Sequence, residues 1–252
     1  MKLSLAVEIL DHIFSFLVSH KRTLRECSRD PVLSPIVERH LYHQITVDFG
    51  DGDDLERYRF SKLVSDNPRI PYYVKILQIQ VYLDHSTEDD DILRKHLDDF
   101  AKTLLMFPVL ECIILKTSNK RLCSWPDLFR AALEDRLSLP TLKEVHIVGN
   151  QEFPCSLIDN RKNIENLFLQ IPSFRDVDEH RSCDSTLPQL KSLTLLNSLL
   201  PSLKPHIKEL RSLKCARSGV DNLPELLGVC SQTLNKLDID LAYSCCKTQV
   251  FF

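Results

Sequence analysis

Nine cysteines, nine histidines and one acidic run hold most of the chemical capacity of this 252-residue chain, and their spacing decides what they can do. The cysteines are scattered from Cys27 to Cys246 with no C-x-x-C pair. An odd, dispersed set reads as free thiols in a reducing compartment rather than a disulfide framework. Cys245 and Cys246 are adjacent, but no second Cys or His pair stands at zinc-like spacing, so no metal site is expected. His40 and His43 lie three apart and could share a helix face; without further ligands they read as surface or packing histidines. The run Asp48-Phe49-Gly50-Asp51-Gly52-Asp53-Asp54 has the composition of a cation loop. Its aspartate spacing misses the calcium-loop order and Glu56 comes too early, which makes it a solvated turn and helix cap. Only five glycines occur, at 50, 52, 149, 219 and 228, so neither a phosphate-cradling loop nor a dinucleotide turn can be built, and there is no G-x-S-x-G elbow. No catalytic residue and no cofactor is expected; the chain reads as a binding protein, not an enzyme.

Binding partners are narrowed by charge and hydropathy. A net charge of -3 and a pI near 6.3 provide no clustered basic face, which excludes nucleic acid as the default partner. No stretch approaches the roughly twenty apolar residues that span a bilayer. The most apolar segment, near the N-terminus, is interrupted by Glu8, Asp11 and His12, which also spoils it as a secretory signal. The expected location is cytoplasmic or nuclear. A 43% hydrophobic content is ample for a sizeable core.

The elements that would position a binding surface are carried by a recurring L-x-x-L-x-L spacing. It occurs as Val74, Leu77, Ile79; Leu110, Ile113, Leu115; Leu142, Val145, Ile147; Ile164, Leu167, Leu169; Leu190, Leu193, Leu195; Leu210, Leu213, Cys215; and Leu234, Leu237, Ile239. Intervals between first positions are 36, 32, 22, 26, 20 and 24 residues, and the third copy ends in Asn150, completing the form of a leucine-rich repeat. The longer intervals read as helical insertions. Asp53 with Glu56 caps a helix through Leu55, Tyr58, Leu63 and Val64 that closes at Pro68. Thr87 starts a second helix, through Ile92, Leu93, Leu97, Phe100 and Leu104; Ser124 starts a third, with Pro126 in its first turn and Leu128, Phe129, Ala132 and Leu133 on one face. A shorter helix is expected within 223–229 and a polar loop over 172–188. In such a strand the last two apolar positions point inward, and the residues alternating with them face the concave side. This places Gln78, Ile114, Lys116, His146, Val148, Phe168, Gln170, Thr194, Leu196, Lys214 and Asp238 on one surface. Among them Ile114, Lys116, His146, Phe168, Gln170, Thr194 and Leu196 are the expected target-binding residues, with Ile114, Phe168 and Leu196 aligned as an apolar stripe. The strand at Leu237 to Ile239 would end the sheet as a poorly protected edge, and a truncated or atypical C-terminus is expected.

Ahead of the repeats, Leu3 to Leu17 reads as a helix whose apolar residues sweep about half the circumference at about 100° per residue. Pro31 ends a second helix near Ser28, and Ser34-Pro35 restarts a third as N-cap and first-turn proline. Leu5, Glu8-Ile9-Leu10, Ile13-Phe14-Ser15-Phe16-Leu17, Leu24, Cys27-Ser28 and Arg39-His40-Leu41-Tyr42 resemble an F-box, the motif by which substrate receptors dock onto a Skp-type adaptor of a cullin-based ubiquitin ligase. The pattern departs from that family at Ala6, where the family has Pro, and at Arg29 to Ser34, where it has apolar residues and a Trp. The resemblance implies adaptor contacts by Leu5, Ile9, Leu10, Ile13, Phe14, Leu17 and Leu24, and an unknown protein target on the repeats. The expected fold is thus α/β: a short three-helix F-box-like head over 1–45, an irregular leucine-rich-repeat arc with a parallel sheet over 46–242, and an atypical tail over 243–252. The alternative is a leucine-rich scaffold with a decayed F-box and no ligase role.

Overall fold

The structure is a computed structural model and describes residues 7–49, 54–81, 88–117, 125–149, 153–154, 157–158, 161–170, 174–175, 187, 189–196, 210–216, 227–228, 232–240 and 248–251. Three helices come first: α1 (Val7–Phe16), α2 (Lys21–Cys27) and α3 (Ser34–Leu41). Phe14, Leu24, Ile36, Val37 and Leu41 meet in a small core of their own, with Leu10, Leu17 and Leu33 packed at its margin. α2 stops at Ser28, as the proline at 31 requires. α3 begins one residue earlier than Ser34-Pro35 suggests, with Leu33 at the cap position. The Asp30 carbonyl already accepts the amides of Leu33 and Ser34, so the preceding turn runs straight into the helix. Ser34 is left to donate its hydroxyl to Glu38 Oε1 at 2.8 Å. Asp11 of α1 ties to His40 Nε2 of α3 at 2.9 Å, which uses His40 as a clasp inside the head.

A sheet of nine strands follows. Its members are β1 (Gln44–Asp48), β2 (Ile76–Val81), β3 (Cys112–Thr117), β4 (Glu144–Gly149), β6 (Asn166–Gln170), β8 (Ser192–Leu196), β9 (Ser212–Ala216), β10 (Lys236–Asp240) and β11 (Thr248–Phe251). Between them β5 (Phe153–Pro154) and β7 (Phe174–Arg175) form a separate two-stranded parallel pair. From β1 to β10 every neighbouring pair is parallel, and the strands lie side by side in sequence order. Each L-x-x-L-x-L copy supplies one strand, and all seven share one register: Leu77, Ile113, Val145, Leu167, Leu193, Leu213 and Leu237 are successive partners. The first apolar residue of each copy, before the strand proper, is also buried, so the described apolar side chains of every copy enter one core.

β1 extends this register by one unexpected copy. Ile45 and Val47 pair with Leu77 and Ile79, and Tyr42, three before Ile45, packs against both cores. The sheet therefore begins at Gln44, inside the span expected for the head. At the opposite end β11 runs antiparallel along β10, pairing Leu237 with Val250 and Ile239 with Thr248. The expected bare edge at Leu237 to Ile239 is covered by residues that the sequence suggests only as a tail. Hydrogen bonding explains the covering, since an unpaired strand edge leaves a row of amides and carbonyls without protein partners.

Helices α4 (Asp54–Asp66), α5 (Ile70–Tyr73), α6 (Glu88–Leu104) and α7 (Asp127–Leu137) occupy the long insertions. Leu93, Leu97, Phe100 and Leu104 of α6 and Phe129, Ala132, Leu133 and Leu137 of α7 join the strand residues in the main core. Among the described residues this makes a mixed α/β protein with seven α-helices, and no helix is long and apolar enough to cross a membrane. The expected caps Asp53, Thr87 and Ser124 lie outside the described residues. Pro126 occupies the N-cap of α7 instead of its first turn, with φ -56° and ψ 143°. The Phe129 amide donates to Asp98 Oδ1 on α6 at 3.1 Å, so this helix start is satisfied by its neighbour. The helix expected within 223–229 lies largely outside the described residues, as does most of the 172–188 loop.

Candidate functional site

The face of the sheet opposite the helices presents the strand residues that alternate with the core positions. One row across it reads Thr46, Gln78, Ile114, His146, Phe168, Thr194, Lys214 and Asp238, each the register partner of the next. Ile114, His146, Phe168 and Thr194 are all partly exposed. The His146 ring stacks on Phe168 with centroids 5.2 Å apart and planes inclined by 23°. Lys116, Val148 and Gln170 form the adjoining row, two residues further along their strands. Leu196 pairs with Ala216 and stands two residues beyond Thr194, outside the row of Ile114 and Phe168. The three apolar residues expected to align are thus divided: His146 separates Ile114 from Phe168, because adjacent strands bring Cα partners together and not every second strand. The side chain of Leu196 lies outside the described residues.

Where each strand begins, a charged column crosses the sheet. Lys75 Nζ lies 2.8 Å from Glu111, and Glu165 sits between Lys143 at 3.4 Å and Lys191 at 2.6 Å. The Lys191 hydrogen bond is the main influence holding the Glu165 carboxyl below its usual range, with Lys143 adding to it. The carbonyl oxygens of the same column each accept two amides from the next strand, as Lys75 O does from Glu111 and Cys112. Backbone geometry therefore fixes the spacing that lets opposite charges meet.

At the entry to β3 and β4, Cys112 is the direct partner of Glu144, and His146 follows two residues on, pointing to the same face. His146 Nε2 lies 2.5 Å from Glu144 Oε1. One ligand-capable atom from each of Cys112, Glu144 and His146 falls within 4.8 Å of the others. Burial, and then the Glu144 carboxylate, push the Cys112 thiol up to about 12. Sequence spacing hides this trio. The cysteine and the glutamate occupy the same position in two successive copies of the motif, and that equivalence is the signal that could have revealed them.

The head divides the α1 residues into two strips. Phe14 is 5% exposed and Leu24 is fully buried, so these two expected adaptor contacts fill the core of the head. Leu10 and Leu17 are partly buried against the same core. On the outer strip Ile9, Ile13 and Phe16 are 50, 44 and 70% exposed, while Val7, 55% exposed, opens the helix on the core-side line. Helical geometry explains the division: positions 10, 14 and 17 follow one line of the helix and 9, 13 and 16 the neighbouring one. Leu5 lies outside the described residues. Of the expected adaptor contacts, Ile9 and Ile13 are therefore the ones presented outward, joined by Phe16, which was not among them.

Between head and sheet lies a cleft of about 540 Å³ lined by Lys21, Arg25, Tyr42, Arg59, Phe60 and neighbouring residues. Lys21 donates to the Leu41 carbonyl at 3.1 Å, satisfying the end of α3. Burial, with Arg25 nearby, lowers the Lys21 pKa, and burial raises that of Tyr42. His40 and His43 do not share α3: His40 is engaged with Asp11, and His43 lies past the end of the helix, its carbonyl accepting the amides of Lys75 and Ile76. Compared with family models and with curated proteins, the chain matches none.

Proposed function

We propose that this chain is a non-catalytic target receptor of a cullin-based ubiquitin ligase, docking a Skp-type adaptor through its helical head and holding a protein target on the open face of a leucine-rich-repeat sheet. The observation that carries the reading is the outer strip of α1. Three large apolar residues, Ile9, Ile13 and Phe16, stand exposed along one line of a helix whose other apolar strip already fills the head core. Exposed apolar residues are common singly; a contiguous strip on one short helix marks an interaction surface. The F-box resemblance supplies the partner, and the in-register motif copies support the repeat reading. The cytosol or nucleus is where such a receptor would act.

Co-purification with a recombinant Skp-type adaptor tests this. The intact chain should capture the adaptor, and Ile13→Asp or Phe16→Asp should abolish capture while leaving the fold intact, because a charge would be trapped in an apolar contact. Phe14→Asp should instead unfold the head and serves as the control for indirect loss. Failure of the intact chain to bind would support a second reading, a repeat scaffold with a decayed F-box. That reading is favoured by the turn after α2, where Asp30 accepts the Val32 amide at 2.8 Å and Val32 stands 76% exposed. Changing Ala6, Arg29 and Ser34 to Pro, Leu and Trp, the family residues, should strengthen capture if those departures weaken docking.

A further inference from the structure

We propose that Cys112, Glu144 and His146 form a three-ligand site for a zinc-type divalent transition-metal ion on the open face of the sheet, with its remaining coordination position facing outward. Parallel pairing in register supplies the geometry. Cys112 on β3 faces Glu144 on β4, and the alternation of side chains along β4 returns His146 to the same face. The donor atoms lie within 4.8 Å of one another. Around a tetrahedral zinc-type ion such atoms stand about 3.3 to 3.6 Å apart, given bond lengths of about 2.0 to 2.3 Å. Side-chain rotation of Glu144 and His146, 42% and 29% exposed, covers the difference without moving the strands.

The donor set selects the ion. Thiolate, imidazole and carboxylate together suit zinc or cobalt, whereas magnesium and calcium require oxygen donors throughout. Cys112 is only 8% exposed and lies at the floor of the site, with the other two donors at its mouth. Binding replaces the Cys112 S–H bond with a sulfur–metal bond, the proton passing to solvent, while neutral His146 offers Nε2 and Glu144 a carboxylate oxygen. Phe168, stacked on the imidazole, holds the ring across the site. Three protein donors leave a position for water or for a donor on a bound molecule. This site does not depend on the ligase reading, since it is built within the sheet and makes no use of the head.

Titration of the full chain with cobalt(II) under a non-thiol reductant tests the site. The expected result is saturation at one equivalent with a thiolate-to-cobalt charge-transfer band in the near ultraviolet. Cys112→Ser should remove that band, and Cys27→Ser should leave it. His146→Gln and Glu144→Gln, both at partly exposed positions, should each weaken cobalt binding by about tenfold or more, the scale known for losing even a group that only orients a ligand. Circular dichroism of each variant reports whether the fold persists. No charge-transfer band in the intact chain, a band that survives Cys112→Ser, or an affinity indifferent to both the His146 and Glu144 changes would overturn the proposal.

Discussion

Single residues in the strands have consequences set by which way they point. Leu193 is fully buried in the main core, so Leu193→Ala should cost about 2 to 5 kcal/mol, read from chemical denaturation. Phe168, on the opposite face, loses chiefly its stack with His146, and Phe168→Ala should cost no more than about 1.5 kcal/mol. Equal losses for the two would mean that the open face is buried. Gly149 is a sharper case. A Cβ there would collide with Thr117 Oγ1 and sit 2.9 Å from the Thr117 carbonyl oxygen, where the ends of β3 and β4 meet. Gly149→Ala should therefore destabilise the fold by about 1 to 3 kcal/mol in a thermal melt, through overpacking. Adding Thr117→Ala should restore only part of that, since the backbone oxygen remains. Facing was legible in the sequence, because a period of two follows directly from the apolar spacing. Gly149's close neighbour was not, as it belongs to the preceding strand.

Between elements, the residue just before three of the motif copies acts as a link. Thr141 Oγ1 donates to the Leu110 carbonyl at 2.8 Å, Asn163 Nδ2 to that of Leu142 at 2.8 Å, and Thr233 Oγ1 to that of Leu210 at 3.0 Å. In each case a polar side chain reaches the first apolar residue of the copy before it. Asn163 also donates to Leu139 at 2.7 Å, so its loss strands more than one carbonyl. Asn163→Ala should lower stability by about 1 to 3 kcal/mol, and Asn163→Thr, which recreates the link made at 141 and 233, should recover part of it; denaturation midpoints of the two variants check this. The positions of the longer helices were legible from their apolar faces, and their starts less so; the single turn Ile70–Tyr73 was not expected. Asp98 shows why: the group that caps α7 stands on α6, out of reach of any local rule.

For the molecule as a whole, seven of the eight parallel strands described in the main sheet follow from one spacing in the sequence, because each copy repeats the same burial requirement. The eighth escaped notice since its leading position is Tyr42, whose ring is shared between the head core and the sheet core. The open face was legible as a list of residues but not as a constellation. Cys112 and Glu144 stand 32 residues apart in the chain, and only the register between β3 and β4 makes them neighbours. Strand order in the main sheet also has a bearing on how the protein is made. Each parallel strand pairs with one already translated, so folding can advance behind the ribosome without waiting for distant sequence. An unfinished chain exposes one growing edge at a time, and the edge of Lys236–Asp240 is covered when the reversed strand Thr248–Phe251 pairs along it.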